Sequence, residues 1–393
     1  MKLAIVSPYP PEISGVGQYG ARFSQGFARI VDQVAVFANR VKGAPALDRL
    51  DGVTVHRVWD RDHVAASPSI VRALHQWKPD AVWFNLGLSM FGRSRPHNFF
   101  ALTAPMLTRA SGLPTIVTLH EIFEAANLQA LGAANGRLTH WGGRAATRMI
   151  LQADTVCFTL QSYLQIIQRQ YGKRNTAHIP HGVYDRPHFS SLPDQKQILI
   201  FATYAPYKGL IDLIEIFKNL RDADSAVQLT IAGSDHPRFP GYLADVRSRY
   251  NDVDGIEWRV GIPEHDLPSL FKSARVVALP YTATTGASSV AHRAAAQGRP
   301  MVAYDLPDLR TSAAEDRLQI EFVPSGDKES FANRLRELLD DPTRCEIIGR
   351  ANVAAMQSMT LEMMCHRYLQ VFEQAIKRSD PLAVIKPSVN QDA

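Results

Sequence analysis

Nowhere in this chain do apolar residues run on for the roughly 18 positions that a helix needs to cross a bilayer. The N-terminal Met1-Lys2-Leu3-Ala4-Ile5-Val6 meets Pro8 too soon to form the apolar core of a secretion signal. Cysteine is scarce: Cys157, Cys345 and Cys365 are odd in number and far apart. Their spacing argues against a disulfide framework and against a metal-ligand set, and the expected compartment is the reducing cytoplasm. No dense Lys/Arg run interleaved with aromatics occurs, so nucleic acid is not an expected partner. The chain also lacks the third glycine that would turn its first Gly-x-Gly into a dinucleotide fingerprint.

What is present is 393 residues at 46% hydrophobic content, enough for two or three domains with ample core. The net charge of +5 suits anionic ligands such as nucleotide phosphates, and permits peripheral contact with an anionic membrane. Three Asp-x-Asp pairs, at Asp60/Asp62, Asp222/Asp224 and Asp252/Asp254, have the composition of a diphosphate-bridging Mg²⁺ site. Each lies in a polar stretch and reads better as a surface turn, so no metal is expected.

Apolar strand-like runs alternate with helical ones along the whole length, which predicts an α/β fold with parallel sheets. In the first half the strands are Leu3 to Ser7, Val34 to Phe37, Val53 to Val58, Ala81 to Asn85, Leu113 to Leu119 and Ala153 to Phe158. Between the first strand and a helix opening near Gln18 stands Pro8-Tyr9-Pro10-Pro11, then Gly15-Val16-Gly17. Such a Gly-containing loop at a strand's carboxyl end is where open α/β sheets bind ligands; a plain tight turn is the competing reading. His120-Glu121 ends another strand, where an imidazole is placed to hold a sugar hydroxyl or to act in catalysis. Phe91 to Phe100 mixes arginines with aromatics and reads as a solvated loop or as an acceptor- or membrane-facing one; the same alternatives apply to Arg137–Arg148 with Trp141.

A linker at Ser190 to Asp194 divides residues 1–190 from a second lobe at 191–360, and a last amphipathic helix, 361–379, is expected to pack back on the first lobe. The polar tail beyond is expected to be loose. In the second lobe the strand Ile198–Thr203 leads to a turn holding Lys208, where an ammonium can reach a diphosphate. The segment Tyr281 to Asp305 organises the chain, with an anion site and an ordinary βαβ turn as its two readings. An apolar strand runs into Thr285, Gly286, Ala287, Ser288 and Ser289, then into an alanine-rich helix stopped by Gly298 and Pro300. Small residues at a helix start let a phosphate approach free N–H groups at the positive end of the dipole.

Taken in order, SPYPPEISGVGQYG, VTLHE, IPHGV, APYKGL, LTIAGS and ALPYTATTGASSVAHRAAAQGRPMVAYD resemble, over nearly the whole chain, the landmarks of retaining GT-B glycosyltransferases of the family 4 type. The resemblance implies two Rossmann-like domains facing each other across a cleft. It implies a nucleotide-diphospho-sugar donor and a sugar or lipid-linked acceptor, with no cofactor. Lys208 and Gly286–Ser289 are placed by it at the diphosphate, with His120 and Gly15–Gly17 facing the sugar. Gly233 matches a glycine of the second lobe. Three positions depart from the pattern. Thr203 stands where an arginine is usual, and Thr285 and Arg293 stand where two glutamates are usual, which marks a divergent subgroup. Arg293 cannot accept hydrogen bonds from ribose hydroxyls, so nucleoside contacts must differ. The expected activity is transfer of a hexose in polysaccharide or glycolipid assembly. A repurposed protein that binds a nucleotide-sugar without transferring it is the alternative, and a two-lobed solute-binding protein is a third reading.

Overall fold

A computed structural model describes residues 1–126, 136–172 and 175–379; the tail expected to be loose lies outside them. The first eight strands form one sheet: β1 (Lys2–Val6), β2 (Gln33–Asn39), β3 (Leu47–Leu50), β4 (Val53–Trp59), β5 (Ala81–Leu86), β6 (Thr115–Leu119), β7 (Thr155–Phe158) and β8 (Thr176–His178). Their spatial order is β3-β4-β2-β1-β5-β6-β7-β8. The next six form a second sheet: β9 (Gln197–Tyr204), β10 (Gln228–Asp235), β11 (Ile256–Val260), β12 (Val276–Leu279), β13 (Met301–Tyr304) and β14 (Glu321–Val323), in the order β11-β10-β9-β12-β13-β14. All pairings but β3–β4 are parallel. Central strands such as β5, AVWFNL, are buried at every residue because helices cover both faces, which is why they read as unbroken apolar runs.

Strand order reverses between β1 and β5 in the first sheet, and between β9 and β12 in the second. At such a switch point the flanking loops leave in opposite directions and open a crevice at the carboxyl ends of the strands. Ser7, Asn85 and His120 stand at the first crevice; Lys208 and Thr285 follow the strands of the second.

The helix Leu361–Ser379 buries Met364, Cys365, Tyr368, Phe372 and Ala375 in the apolar cluster beneath the first sheet, with Phe23, Phe27 and Trp83. The Tyr368 hydroxyl lies 2.9 Å from Thr118 Oγ1 and 3.1 Å from the Tyr19 hydroxyl. Where the chain returns to the first lobe, Val183 N donates to the Met359 carbonyl at 2.8 Å, so the two interlobe segments run side by side.

Several elements differ from the sequence reading. The strand β3 went unforeseen because LDRL carries two charged residues and pairs only with β4, at the sheet edge. Residues 95–101, within the Phe91–Phe100 stretch given loop readings, form a helix, and 104–110 form another; Pro96 and Pro105 sit in their first turns, where the missing N–H costs nothing. The Gly15-Val16-Gly17 loop is the opening turn of the helix Gly15–Phe27, capped by Ser14.

Candidate functional site

On the first lobe the site is built around Asn85. Its amide nitrogen donates to Ser7 Oγ (2.9 Å) and to the Val16 carbonyl (2.8 Å), and its oxygen lies 2.6 Å from His120 Nε2. With the amide so fixed, the ring must carry its proton on Nε2, which leaves Nδ1 as an acceptor. Burial lowers the His120 pKa to about 4, so the imidazole is neutral at physiological pH. Tyr19 meets it edge-on at 4.5 Å between ring centres. Gly17 is not open to a ligand through its amide, because Ser14 Oγ accepts from that N–H at 3.1 Å. Its lack of a Cβ serves close packing: an added one would stand 2.8 Å from Ser14 Oγ and 3.4 Å from the Pro8 carbonyl oxygen. Gly17, expected to face the sugar, therefore offers no free N–H in this structure.

On the second lobe, Lys208 closes a short turn, Pro206–Lys208, before Gly209. Gly209 has φ 67°, and an added Cβ would lie 1.9 Å from the Pro280 carbonyl oxygen. This contact locks the loops after β9 and β12 together and holds Lys208 above the Tyr281 ring, 3.9 Å from its centre. Among the described residues the ammonium has no carboxylate partner; burial lowers its pKa to about 8. Thr203 lies near the end of β9 beside Ser234 of β10. Gly233, with φ 134°, lets β10 approach β9: a Cβ there would be 1.9 Å from the Ala202 carbonyl oxygen.

The turn Thr285–Ser289 is where the lobes meet. Thr285 Oγ1 donates to Glu121 Oε2 at 3.1 Å, while Glu121 Oε1 accepts from Leu88 N at 3.0 Å. The Gly286 backbone (φ 67°) lies so close to His120 that an added Cβ would be 2.1 Å from its carbonyl oxygen. Gly286 N donates to the Tyr163 hydroxyl at 2.9 Å, and that hydroxyl donates to Asp308 at 2.7 Å. The cradle expected from Gly286 through Ser289 is thus shorter by one amide. Ala287 packs against the apolar cluster of the first lobe. Ser288 caps the helix Ser289–Ala296, its Oγ accepting from Ala291 N at 3.3 Å.

Beneath Ser288 is a pair absent from the sequence expectations. His292 Nδ1 lies 2.7 Å from the Ser288 carbonyl and Nε2 lies 2.9 Å from Asp316 Oδ2. Both ring nitrogens face acceptors. Burial opposes the charged ring, but Asp316 and the Ser288 carbonyl outweigh it and hold the His292 pKa above its ordinary value. Arg293 is also corrected. Its buried guanidinium donates to Asp185 (3.0 Å) and to Glu264, and stacks over Tyr184 at 4.8 Å, so in this structure it binds the protein's own carboxylates.

Further ties cross between the lobes: Arg22 Nε donates to Glu264 at 3.2 Å, and the Gln161 and Ser162 amides donate to Glu315 at 2.6 and 2.8 Å. The structure therefore brings together His120, Thr285 and Gly286, with Lys208 on the adjoining loop. Tyr163, Glu121, Asn85, Glu315 and His292 were missed. Only Glu121 had a signal, as the neighbour of His120. A separate cavity of about 630 Å³, lined by Arg109, Leu113, Arg148 and Asp154, adjoins the starts of β6 and β7, at the opposite sheet edge.

Residues 13–185 match the family described as Glycosyltransferase Family 4, and residues 195–341 match Glycosyl transferases group 1. Over 408 aligned residues the chain is 23% identical to the GDP-mannose-dependent monoacylated alpha-(1-6)-phosphatidylinositol monomannoside mannosyltransferase of Corynebacterium glutamicum, covering 94% of this chain and 97% of that protein. Among solved structures, sucrose-phosphate synthase from Thermosynechococcus elongatus superposes with a TM-score of 0.75 at 15% identity, covering 96% of this chain and 100% of the other. Anabaena HepE in complex with UDP and glucose gives 0.70 at 16% identity, over 95% and 99%.

Proposed function

We infer that this chain, which belongs to the GT-B glycosyltransferases of the family 4 type, is a retaining hexosyltransferase acting on a lipid-linked or polysaccharide acceptor. Transfer of sugar from a nucleotide-sugar is the premise; the hexose, the retention of configuration and the acceptor class are the proposal. The observation that supports it best is the convergence of an unpaired ammonium, Lys208, a helix start at Ser288–Ser289 and a neutral imidazole, His120, at facing strand ends.

The donor diphosphate lies against the helix start with Lys208 beside it. As the glycosidic bond breaks, negative charge grows on the departing phosphate. A cation shielded from water interacts with that charge far more strongly than a solvated one, with no reorganisation at the moment of reaction. His292, held by Asp316, supports the same turn from behind through the Ser288 carbonyl. His120 Nδ1 accepts from a hydroxyl of the transferred sugar and fixes the ring's orientation. The acceptor hydroxyl attacks on the leaving-group side, and a phosphate oxygen takes its proton. The glycolipid choice draws support from the Corynebacterium relative, whose name specifies a phosphatidylinositol-linked acceptor.

The test is Lys208→Ala. Losing one preorganised charge of this kind costs about 10²–10³ in kcat. We expect that loss with the melting temperature unchanged or raised, because a half-buried charge without a carboxylate partner among the described residues is removed. Full transfer by the variant, measured with UDP- and GDP-hexoses, would falsify the reading. Donor binding without turnover by the wild-type chain would favour the repurposed-binder alternative.

A further inference from the structure

The helix Arg137–Ile150 turns Gly143, Ala146, Thr147 and Ile150 inward. The opposite face is exposed and carries Arg137, Trp141, Arg144 and Arg148 at helical spacing, with Leu138 at its flank. Leu138 is 80% exposed and Trp141 69% exposed, which is far from the environment either side chain prefers. The adjoining helix Arg95–Ala101 adds Phe100, 56% exposed, and is tied to the first helix by Arg95, which donates to Thr139 Oγ1 at 3.1 Å.

The charge here is one-sided. Between Asp80 and Asp154 the only acidic residues are Glu121 and Glu124, against six arginines. Both glutamates face into the protein: Glu121 accepts from Leu88 N and Thr285 Oγ1, and Glu124 accepts from the Tyr171 hydroxyl. Among the described residues Arg137 and Arg144 have no acidic partner. The helix runs back to the start of β7, so its first turns, with Leu138 and Trp141, lie at the sheet edge that carries His120.

We propose that this face, Arg137, Leu138, Trp141 and Arg144 with Phe100, docks on a bilayer bearing anionic lipid and presents the cleft mouth to an acceptor anchored in that bilayer. The proposal rests on the lipid-linked acceptor reading above. Arginines engage headgroup phosphates while the indole and the leucine enter the interface, the division of labour of a surface-lying amphipathic helix.

The test is co-sedimentation of the full chain with vesicles of phosphatidylcholine, alone or mixed with phosphatidylglycerol. The wild-type chain should pellet with the anionic vesicles and be released by added salt. Each arginine near an anionic surface strengthens partition about fivefold, so the double variant Arg137→Ala/Arg144→Ala should bind about 30-fold more weakly. Trp141→Ala should lose about tenfold through the apolar term. All three side chains are exposed, so unchanged circular dichroism and melting are expected and serve as the folding control. Three results would overturn the proposal: equal binding to neutral vesicles, no binding at all, or variants that pellet like wild type. So would a dimer in solution that the Trp141 variant dissolves, since a second copy would then be the occupant. Transfer to a water-soluble acceptor, expected within about twofold of wild type in these variants, reads the catalytic proposal separately. Vesicle binding without transfer sinks that reading alone, and transfer without vesicle binding sinks this one alone.

Discussion

Lys208 is a partly shielded charge without a carboxylate partner among the described residues, and its consequences are testable by pH. Its folded-state pKa, about 8, lies below the ordinary value for lysine, about 10.4. The sign follows from linkage. Below pH 8 the ammonium is charged in both folded and unfolded chains, and burial opposes folding; as pH rises from 8 toward 10.4, that opposition is relieved. Donor binding shows the reverse trend, because the diphosphate needs the charged form. Donor affinity should be full below pH 8 and weaken about tenfold per unit above it. Isothermal titration across pH 7 to 10 checks this, and Lys208→Ala should abolish the slope. A wild-type affinity flat across this window would remove Lys208 from the diphosphate. His120 behaves differently: with its pKa near 4 it stays neutral through the same range and contributes no slope.

At the level of elements, two contacts decide whether the site assembles. The Thr285–Ser289 turn reaches His120 only because position 286 has no side chain. Gly286→Ala places a methyl against the His120 carbonyl and forces a left-handed backbone on alanine, a strain of about 1–3 kcal/mol. Chemical denaturation should record a loss of that size, with transfer falling more steeply as the turn and His120 part. The C-terminal helix is the second contact. Trp83 Nε1 donates to Thr118 Oγ1 at 2.9 Å, and Tyr368 continues the chain to Tyr19. Tyr368→Phe keeps the packing but strands buried hydroxyls, at a cost of about 1–2 kcal/mol by urea unfolding. No measurable cost would mean the network is dispensable.

Across the whole molecule, the lobes are tied by groups far apart in sequence. Glu315 of the second lobe accepts from the first two amides of the helix Gln161–Tyr171, where a negative charge opposes the positive end of the helix dipole. Glu315→Gln keeps the shape and removes the charge, weakening the tie by about 0.3–1 kcal/mol. Small-angle scattering should then report a larger radius of gyration, and the donor KM should rise several-fold. Identical scattering from variant and wild type would show that this tie does not govern closure.

The alternation of buried strands and helices was legible in the sequence, because parallel strands covered on both faces must be apolar throughout and their connections need helices. So were the strand-end positions of His120, where an apolar run stops, and of Lys208, whose loop Pro206 and Gly209 mark. What the chain alone could not disclose is which groups would be consumed by partners. Gly286 read as an open amide, yet Tyr163 takes it. Arg293 read as a donor contact, yet Asp185 and Glu264 hold it. Local pattern determines secondary structure because it depends on residues near in sequence and on periodicity. Hydrogen-bond partnership across the cleft depends on distances between segments more than a hundred residues apart, such as Gly286 and Tyr163, and only the packed lobes decide those.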